Sequence, residues 1–317
     1  MLDRTTIKNW NSLKFGLVLS GGGAKGAYEA GAIYALHELD IFDKIKVISG
    51  TSIGALNAIA AAMNDANLIV KIWDDIGYRD VIGVSSQNKK DTLMDAIKYI
   101  ADNRKSMSLS EIASELKTDL SDIEMNTFNQ SRIRALIDKY FDINVMRASQ
   151  MDLYACAYNR EKHVPKFFNL KRLTDENVYN AVLASCAIPH LYPPVSIYGE
   201  MYSDGGINDP EYPIANAVNT PVEPMNKYEL DAVIIIYLSD EPKLVSPDRY
   251  KGNIISIVPS QSLEAVKFSG TMNFTQQAIQ SKRELGYRDT LAYLAPAIIR
   301  FMKGDIKKIG TTSLIKL

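Results

Sequence analysis

Ser52 stands in Gly50-Thr51-Ser52-Ile53-Gly54, a match to G-x-S-x-G. A serine hydroxyl is a weak nucleophile. To work as one it must be projected by the backbone, lose its proton to a base, and have donors ready for the charge that develops. A sharp strand-to-helix turn meets the first need, and the flanks of Ser52 supply that context. "KIKVIS" (44–49) precedes it as a strand pattern, and "IGALNAIAAAM" (53–63) follows as an alanine-rich helical stretch. Side chains at positions 50 and 54 would crowd such a turn. The helix that begins after Ser52 aims its positive end at the hydroxyl.

The donors have a candidate in "SGGGAKG" (20–26). Gly21, Gly22 and Gly23 leave backbone N–H groups unshielded at a strand-to-helix turn, where an oxyanion can approach. The same loop fits two other patterns. Gly21-x-Gly23-x-x-Gly26 is the spacing of a dinucleotide fingerprint, which wants an acid at the end of the second strand. That strand ends instead in Ser49-Gly50-Thr51-Ser52. A phosphate-binding P-loop needs Lys-Ser or Lys-Thr at its last glycine, and Gly26 is followed by Ala27-Tyr28. A purely structural glycine turn remains the bland alternative.

A base is harder to find. The chain has three histidines, His37, His163 and His190. The common Ser…Asp…His order needs a histidine late in the chain, and nothing beyond residue 190 supplies one. His37 reads as a packing or surface residue and His163 lies in the charged loop "NREKHVPK", which leaves His190 after "ASCAIP" as the best histidine. "MYSDGGIND" (201–209) offers a different base. Alone, Asp204-Gly205-Gly206 is a plain β-turn signal. Beside Ser52, Asp204 can accept the hydroxyl proton, and burial in an apolar pocket would raise its pKa above the usual ~3.9.

The elements that must hold these groups follow from patterning. "KFGLVLS" (14–20) is a buried strand, and Ala32, Ile33, Leu36 and Leu39 mark a helix after the glycine loop. "MDLYACAYN" (151–159), "AVIIIYLS" (232–239) and "NIISIVPS" (253–260) are further strands. Strand–helix–strand–helix predicts a mostly parallel sheet with helices on its faces, an α/β fold. Residues 74–150 read as a polar helical insertion, with a capping box at Ser108–Glu111. The tail from 272 to 317 reads as one long helical pattern, interrupted near Pro296. We expect a single domain, with its core at about 14–290.

Composition narrows the class. Net charge is −1 at pH 7, so no global charge favours nucleic acid. Two cysteines, Cys156 and Cys186, make no disulfide framework, and a reducing compartment is the default. No His/Cys/Asp cluster has metal-ligand spacing, so no metal or cofactor is expected. The first apolar run, Phe15 to Leu19, is too short for a signal-peptide core or a membrane span. A cytoplasmic protein meeting membranes only from the surface is expected.

Taken together, "LSGGGAKGAYEAGAIYAL", "SGTSIGALNA", "LASCAIPHLYPPV", "YSDGGI" and "ELGYRDT" (284–290) resemble the patatin-like phospholipase family. The resemblance implies a three-layer α/β/α sandwich and hydrolysis of fatty acyl esters in phospholipids or related lipids by a Ser–Asp dyad. It implies Ser52 as nucleophile, Asp204 as proton acceptor and the Gly21, Gly22 and Gly23 amides as oxyanion hole. Lys25, Gly26, Gly50, Gly54, Gly205 and Gly206 complete the motifs. Two positions depart from the pattern. Lys25 stands where many members have Arg, keeping the charge but losing the fork. Glu211-Tyr212 precede Pro213, where many relatives have Asn directly before the Pro. A binding protein with little turnover, or a soluble esterase or thioesterase for small acyl groups, would use the same scaffold. Five basic residues after Ala297 (Arg300, Lys303, Lys307, Lys308, Lys316) against Asp305 give the tail a charge suited either to an anionic membrane or to a solvated end.

Overall fold

The computed structural model describes residues 10–77, 80, 130–189, 192–206, 218–264 and 269–303. Most of the expected 74–150 insertion, its capping box, His190, the segment from Ile207 to Pro213 and the tail after 303 lie outside these residues.

The elements run in the order β1 (Phe15–Leu19), α1 (Gly26–Glu38), β2 (Ile45–Thr51), α2 (Ile53–Ala61), α3 (Ala66–Asp75), α4 (Ser131–Tyr140), α5 (Ile143–Ala148), β3 (Asp152–Asn159), β4 (Val164–Asn169), α6 (Asp175–Ser185), β5 (Val195–Ile197), β6 (Glu200–Asp204), β7 (Ala232–Ile236), β8 (Ile254–Ile257), α7 (Ser269–Met272) and α8 (Gln276–Met302). They build one mixed sheet, with neighbours β5-β6-β3-β2-β1-β7-β8 and β4 also on β3. β1 is central and parallel to both β2 and β7, and β3 and β8 extend the parallel core. Every residue of β1 and β7 is buried, as strands covered on both faces require.

The two faces differ. Leu17, Leu19, Ile48, Leu153, Ile234 and Ile236 join a large core with α1, α2 and α8. Val18, Val47, Val233 and Ile235 point the other way, onto Val222, Met225 and Tyr250. That second cover is thin among the described residues, being a 3₁₀ turn (Glu223–Lys227) and loops. On the helical face α1 and α8 cross closely: a Cβ on Gly31 would collide with the Arg283 carbonyl, and one on Gly286 with the Tyr28 carbonyl.

The strands expected at 14–20, 44–49, 151–159, 232–239 and 253–260 and the helices expected after the glycine loop and at 53–63 fall where the sequence places them, whereas the long helix of the tail starts at Gln276 and not at 272. The expected break near Pro296 is corrected, because α8 runs through it. Proline removes one helical hydrogen bond, but Leu294 and Ile298 on either side are anchored in the core and hold the helix on course.

Candidate active site

Ser52 sits at the tip of the turn between β2 and α2 with φ 55° and ψ −123°, a left-handed conformation costly for a residue with a Cβ. The turn closes because neighbouring backbones nearly touch. A Cβ on Gly50 would strike the Gly54 carbonyl, and one on Gly54 would strike the carbonyls of Leu19 and Ser20. Ser185 supports the turn from α6. Its hydroxyl accepts from the Ser52 N–H at 2.9 Å and donates to the Cys156 carbonyl at 2.5 Å. Both cysteines are buried and free, with thiols pushed up by burial.

Asp204 reaches the same place from the opposite direction. β2 pairs with β3 as far as Thr51 on Cys156. β6 runs antiparallel along β3 and ends with Asp204 on Ala157. Because β4 occupies one edge of β3 from Tyr154 to Asn159, β2 and β6 share the other and meet end to end. The Asp204 carboxyl is buried. Its Oδ1 accepts from the Gly206 N–H at 2.8 Å, and its own N–H donates to the Ala187 carbonyl at 2.8 Å. Burial pushes its pKa up to about 7 against the opposing pull of the Ser52 hydroxyl and the Gly206 amide. Oδ2 forms no hydrogen bond of regular geometry, although Ser52 is near enough to influence the group. Such contacts are often loose before substrate arrives.

The glycine loop completes the site, with one revision. The Gly21 N–H is engaged by the Asn219 carbonyl at 3.0 Å, so it is not an available oxyanion donor. No described residue accepts from the N–H of Gly22 or Gly23. Asn219 was invisible in the motifs, yet it ties the site together. Its Nδ2 donates to the Gly21 carbonyl at 3.1 Å, and its Oδ1 lies where a Cβ on either Gly21 or Gly206 would fall. The strand of chain around it is latched by Thr51 Oγ1 to the Val218 carbonyl (2.8 Å) and the Val218 N–H to the Gly205 carbonyl (2.7 Å). Lys25 points to Glu264 Oε1 at 2.8 Å. Gly26 lies against Ile53 and Trp73.

Beneath the loop Glu29 is wholly buried. Asn57 on α2 donates to Glu29 Oε2 at 2.8 Å and to the Gly26 carbonyl at 3.0 Å, while Trp73 Nε1 donates to Asn57 Oδ1 at 2.9 Å. Burial pushes the pKa of the Glu29 carboxyl well above the usual carboxylate range, against the pull of its hydrogen bond from Asn57. No sequence motif singles out Glu29 or Asn57. Their common signal is a polar residue inside an otherwise apolar helical face.

The histidines stand elsewhere. His37 stacks on Phe42 at 3.8 Å between ring centroids, and burial lowers its pKa. His163 lies at the β3–β4 turn with φ 54°. Among the described residues no group of His, Cys, Asp or Glu could hold a metal ion, and no helix is long and apolar enough to cross a membrane.

A serine at positive φ on a strand-to-helix turn, a buried carboxyl and a glycine loop thus meet at one end of an α/β sheet. The sequence comparison is specific: residues 17–218 match the family model for patatin-like phospholipase, well over half the chain. The chain belongs to that family of lipid hydrolases. It is 26% identical over 194 residues to lysophospholipase nte1 of Aspergillus terreus, covering 61% of this chain but only 10% of that much longer protein. Among solved structures it resembles VipD of Legionella pneumophila (16% identity, TM-score 0.44, 89% of this chain and 67% of that one). It also resembles human GIVD cytosolic phospholipase A2 (12% identity, TM-score 0.44, 92% and 59%).

Proposed function

We propose that this chain hydrolyses fatty acyl esters of phospholipids or lysophospholipids through a Ser52–Asp204 dyad. The observation that carries the reading is the meeting of a strained elbow serine with a buried carboxyl whose pKa lies at about 7. Such a carboxylate is a far stronger base than a solvated one and still ionises at neutral pH.

Asp204 takes the proton as Ser52 Oγ attacks the ester carbonyl carbon. The carbonyl oxygen becomes an oxyanion, received by the N–H groups of Gly22 and Gly23. Each such donor is worth about 3–4 kcal/mol in an acyl-transfer site. The intermediate collapses, the C–O bond to the alcohol breaks, and Asp204 returns its proton to that leaving oxygen. An acyl-Ser52 ester remains. Water gives its proton to Asp204 and attacks the acyl carbon. Ser52 leaves, recovers the proton, and the fatty acid is released. Each step uses groups of the chain itself.

The test is fatty-acid release from mixed phospholipid vesicles, with EDTA present, by wild type, Ser52→Ala and Asp204→Asn. Release by wild type and loss in both folded variants is the expected result. Release by Asp204→Asn would move the base elsewhere, His190 first. Wild type inert on vesicles but active on short soluble esters would make the protein an esterase. Inertness on both would favour a binding role.

A further inference from the structure

The Gly22 and Gly23 amides and the Ser52 hydroxyl belong to different elements, and glycines carry no side chains with which to hold a loop in place. α2, the helix that Ser52 opens, grips both ends of the glycine loop. At the start, a Cβ on Gly54 would strike the carbonyls of Leu19 and Ser20, and at the end Ile53 packs against Gly26. One turn past Ile53, Asn57 donates to the Gly26 carbonyl at 3.0 Å. Its Nδ2 also donates to Glu29 Oε2 at 2.8 Å, and its Oδ1 accepts from Trp73 at 2.9 Å. Both ends of the Asn57 amide are therefore committed. Glu29 stands on the first turn of α1, wholly buried. Against the desolvation that burial imposes, the groups acting on its charge among the described residues are neutral donors, the Asn57 amide and the Ser20 N–H. Its Oε1 makes no hydrogen bond of regular geometry.

We infer that Glu29 is a positioning residue: it orients the Asn57 amide and through it fixes the glycine loop to α2, so that the Gly22 and Gly23 amides face the charge developing at Ser52. The inference rests on the acyl-hydrolase reading above. Leucine or methionine would fill the same space without desolvating a carboxyl. The carboxyl oxygen adds what neither supplies, an acceptor for the second Asn57 hydrogen. Without it that N–H would be buried and unpaired, and Asn57 would have to turn from Gly26 or Trp73 to satisfy it. Glu29 also acts at the other end of the loop, since Ser20 is the last residue before the glycines. A clamp on both ends leaves the glycines between them bare and open to substrate, while their amides stay aligned with the nucleophile.

Two variants and two readouts test this. Glu29→Leu removes the acceptor and keeps the bulk, and Glu29→Gln keeps an acceptor. In Glu29→Leu, kcat for p-nitrophenyl butyrate is expected to fall about 10- to 100-fold with KM nearly unchanged, because the donors act most in the transition state. Glu29→Gln should retain kcat within about threefold. The second readout follows the oxyanion without turnover. Ser52 Oγ adds to the carbonyl carbon of an alkyl trifluoromethyl ketone, and the oxyanion so formed needs the same donors. Ketone affinity in Glu29→Leu should fall by the same factor as kcat. A purely structural role would lower the melting temperature and leave both readouts unchanged in protein that circular dichroism shows to be folded. Should Glu29→Leu fail to fold, Asn57→Asp leaves Trp73 its acceptor, removes both N–H donors, and is expected to give the same paired loss. Unchanged kcat and ketone affinity in the folded variant, or a Glu29→Gln as impaired as Glu29→Leu, would overturn the inference while a wild type that cleaves the ester keeps the dyad. Wild type that neither cleaves the ester nor binds the ketone removes the acyl-hydrolase reading and the clamp with it.

Discussion

The elbow and the base loop hold their side chains in opposite ways. Ser52 is fixed by close backbone packing, Gly50 against Gly54 and Gly54 against Leu19 and Ser20, with Ser185 on α6 accepting its N–H. Its energy is stored locally, in a left-handed serine. Asp204 is fixed by strand pairing and hydrogen bonds in a buried setting. Ala187 accepts its N–H, Ala157 registers its strand, and the Val218–Thr220 segment closes the turn behind it. Its energy is stored as desolvation, in a carboxyl kept from water. A nucleophile needs position, which a turn can enforce. A base needs an altered pKa, which only a surrounding core can supply.

The largest effects should separate the two kinds of storage. Ser52→Gly removes the nucleophile and frees the strained turn. Activity should fall about a thousandfold or more, while stability rises by about 1 kcal/mol. Denaturant titration beside the vesicle assay checks both, and a less stable Ser52→Gly would mean that the turn is not strained.

Asp204→Asn should also abolish most activity, and its stability should depend on pH. Near pH 3.8 and below, the carboxyl is protonated in both folded and unfolded chains. Between there and about 7 the unfolded chain releases the proton and the folded one keeps it, so folding stability falls as pH rises through that window. The cost reaches at most about 4 kcal/mol and is constant above it. Asparagine escapes this cost and can still accept from Gly206. The variant should therefore gain about 1–4 kcal/mol over wild type at pH 8 and almost nothing at pH 4. Wild-type kcat/KM should rise with a single ionisation near pH 7 and then level. A profile that levels by pH 5 would mean that Asp204 ionises like an exposed carboxylate.

Asn219 joins the two regions, since its side chain lies between Gly21 and Gly206. Asn219→Ala should cut kcat about 10- to 100-fold as loop and base drift apart, with only about 1 kcal/mol lost in stability. Unchanged kcat would show that the two turns hold themselves.

The same contrast explains what the sequence could tell. The elbow and glycine loop were legible because their constraints are local: glycines at set offsets, with a strand before and a helix after. Asp204 was legible only as a candidate, since "YSDGG" also writes an ordinary turn, and its elevation depends on burial that no short stretch encodes. Ser185, Asn219 and Glu29 were not legible in their roles. Each acts through a partner far away in sequence, Ser185 on Ser52 and Asn219 on Gly21. Gly21 itself was read as an oxyanion donor because a motif shows that an N–H exists and not that a carbonyl 198 residues away occupies it. The β6 strand that runs against β3 to deliver Asp204 left only a short aromatic run in the sequence.

The smallest effect is expected at Lys25, at the edge of the glycine loop. Lys25 and Glu264 form a mostly buried ion pair at 2.8 Å. Nearby, Lys282 donates to the carbonyls of Gly270 at 2.8 Å and Asn273 at 3.3 Å. Burial, with Lys25 adding repulsion and Glu264 opposing it, brings the Lys282 pKa down to about 8. Between about 8 and 10.5 the unfolded chain holds a proton there that the folded chain lacks, so this group makes stability rise with pH across that window. Lys25→Ala removes the repulsion and leaves the attraction of Glu264 acting on Lys282. The Lys282 pKa should move up and the rise in stability between pH 8 and 10 should shrink by about 1 kcal/mol. The net loss at pH 7 should stay near 1 kcal/mol, because Lys282 takes over much of Glu264's charge. Urea midpoints at several pH values measure this directly, and an undiminished slope would show that Lys25 does not act on Lys282.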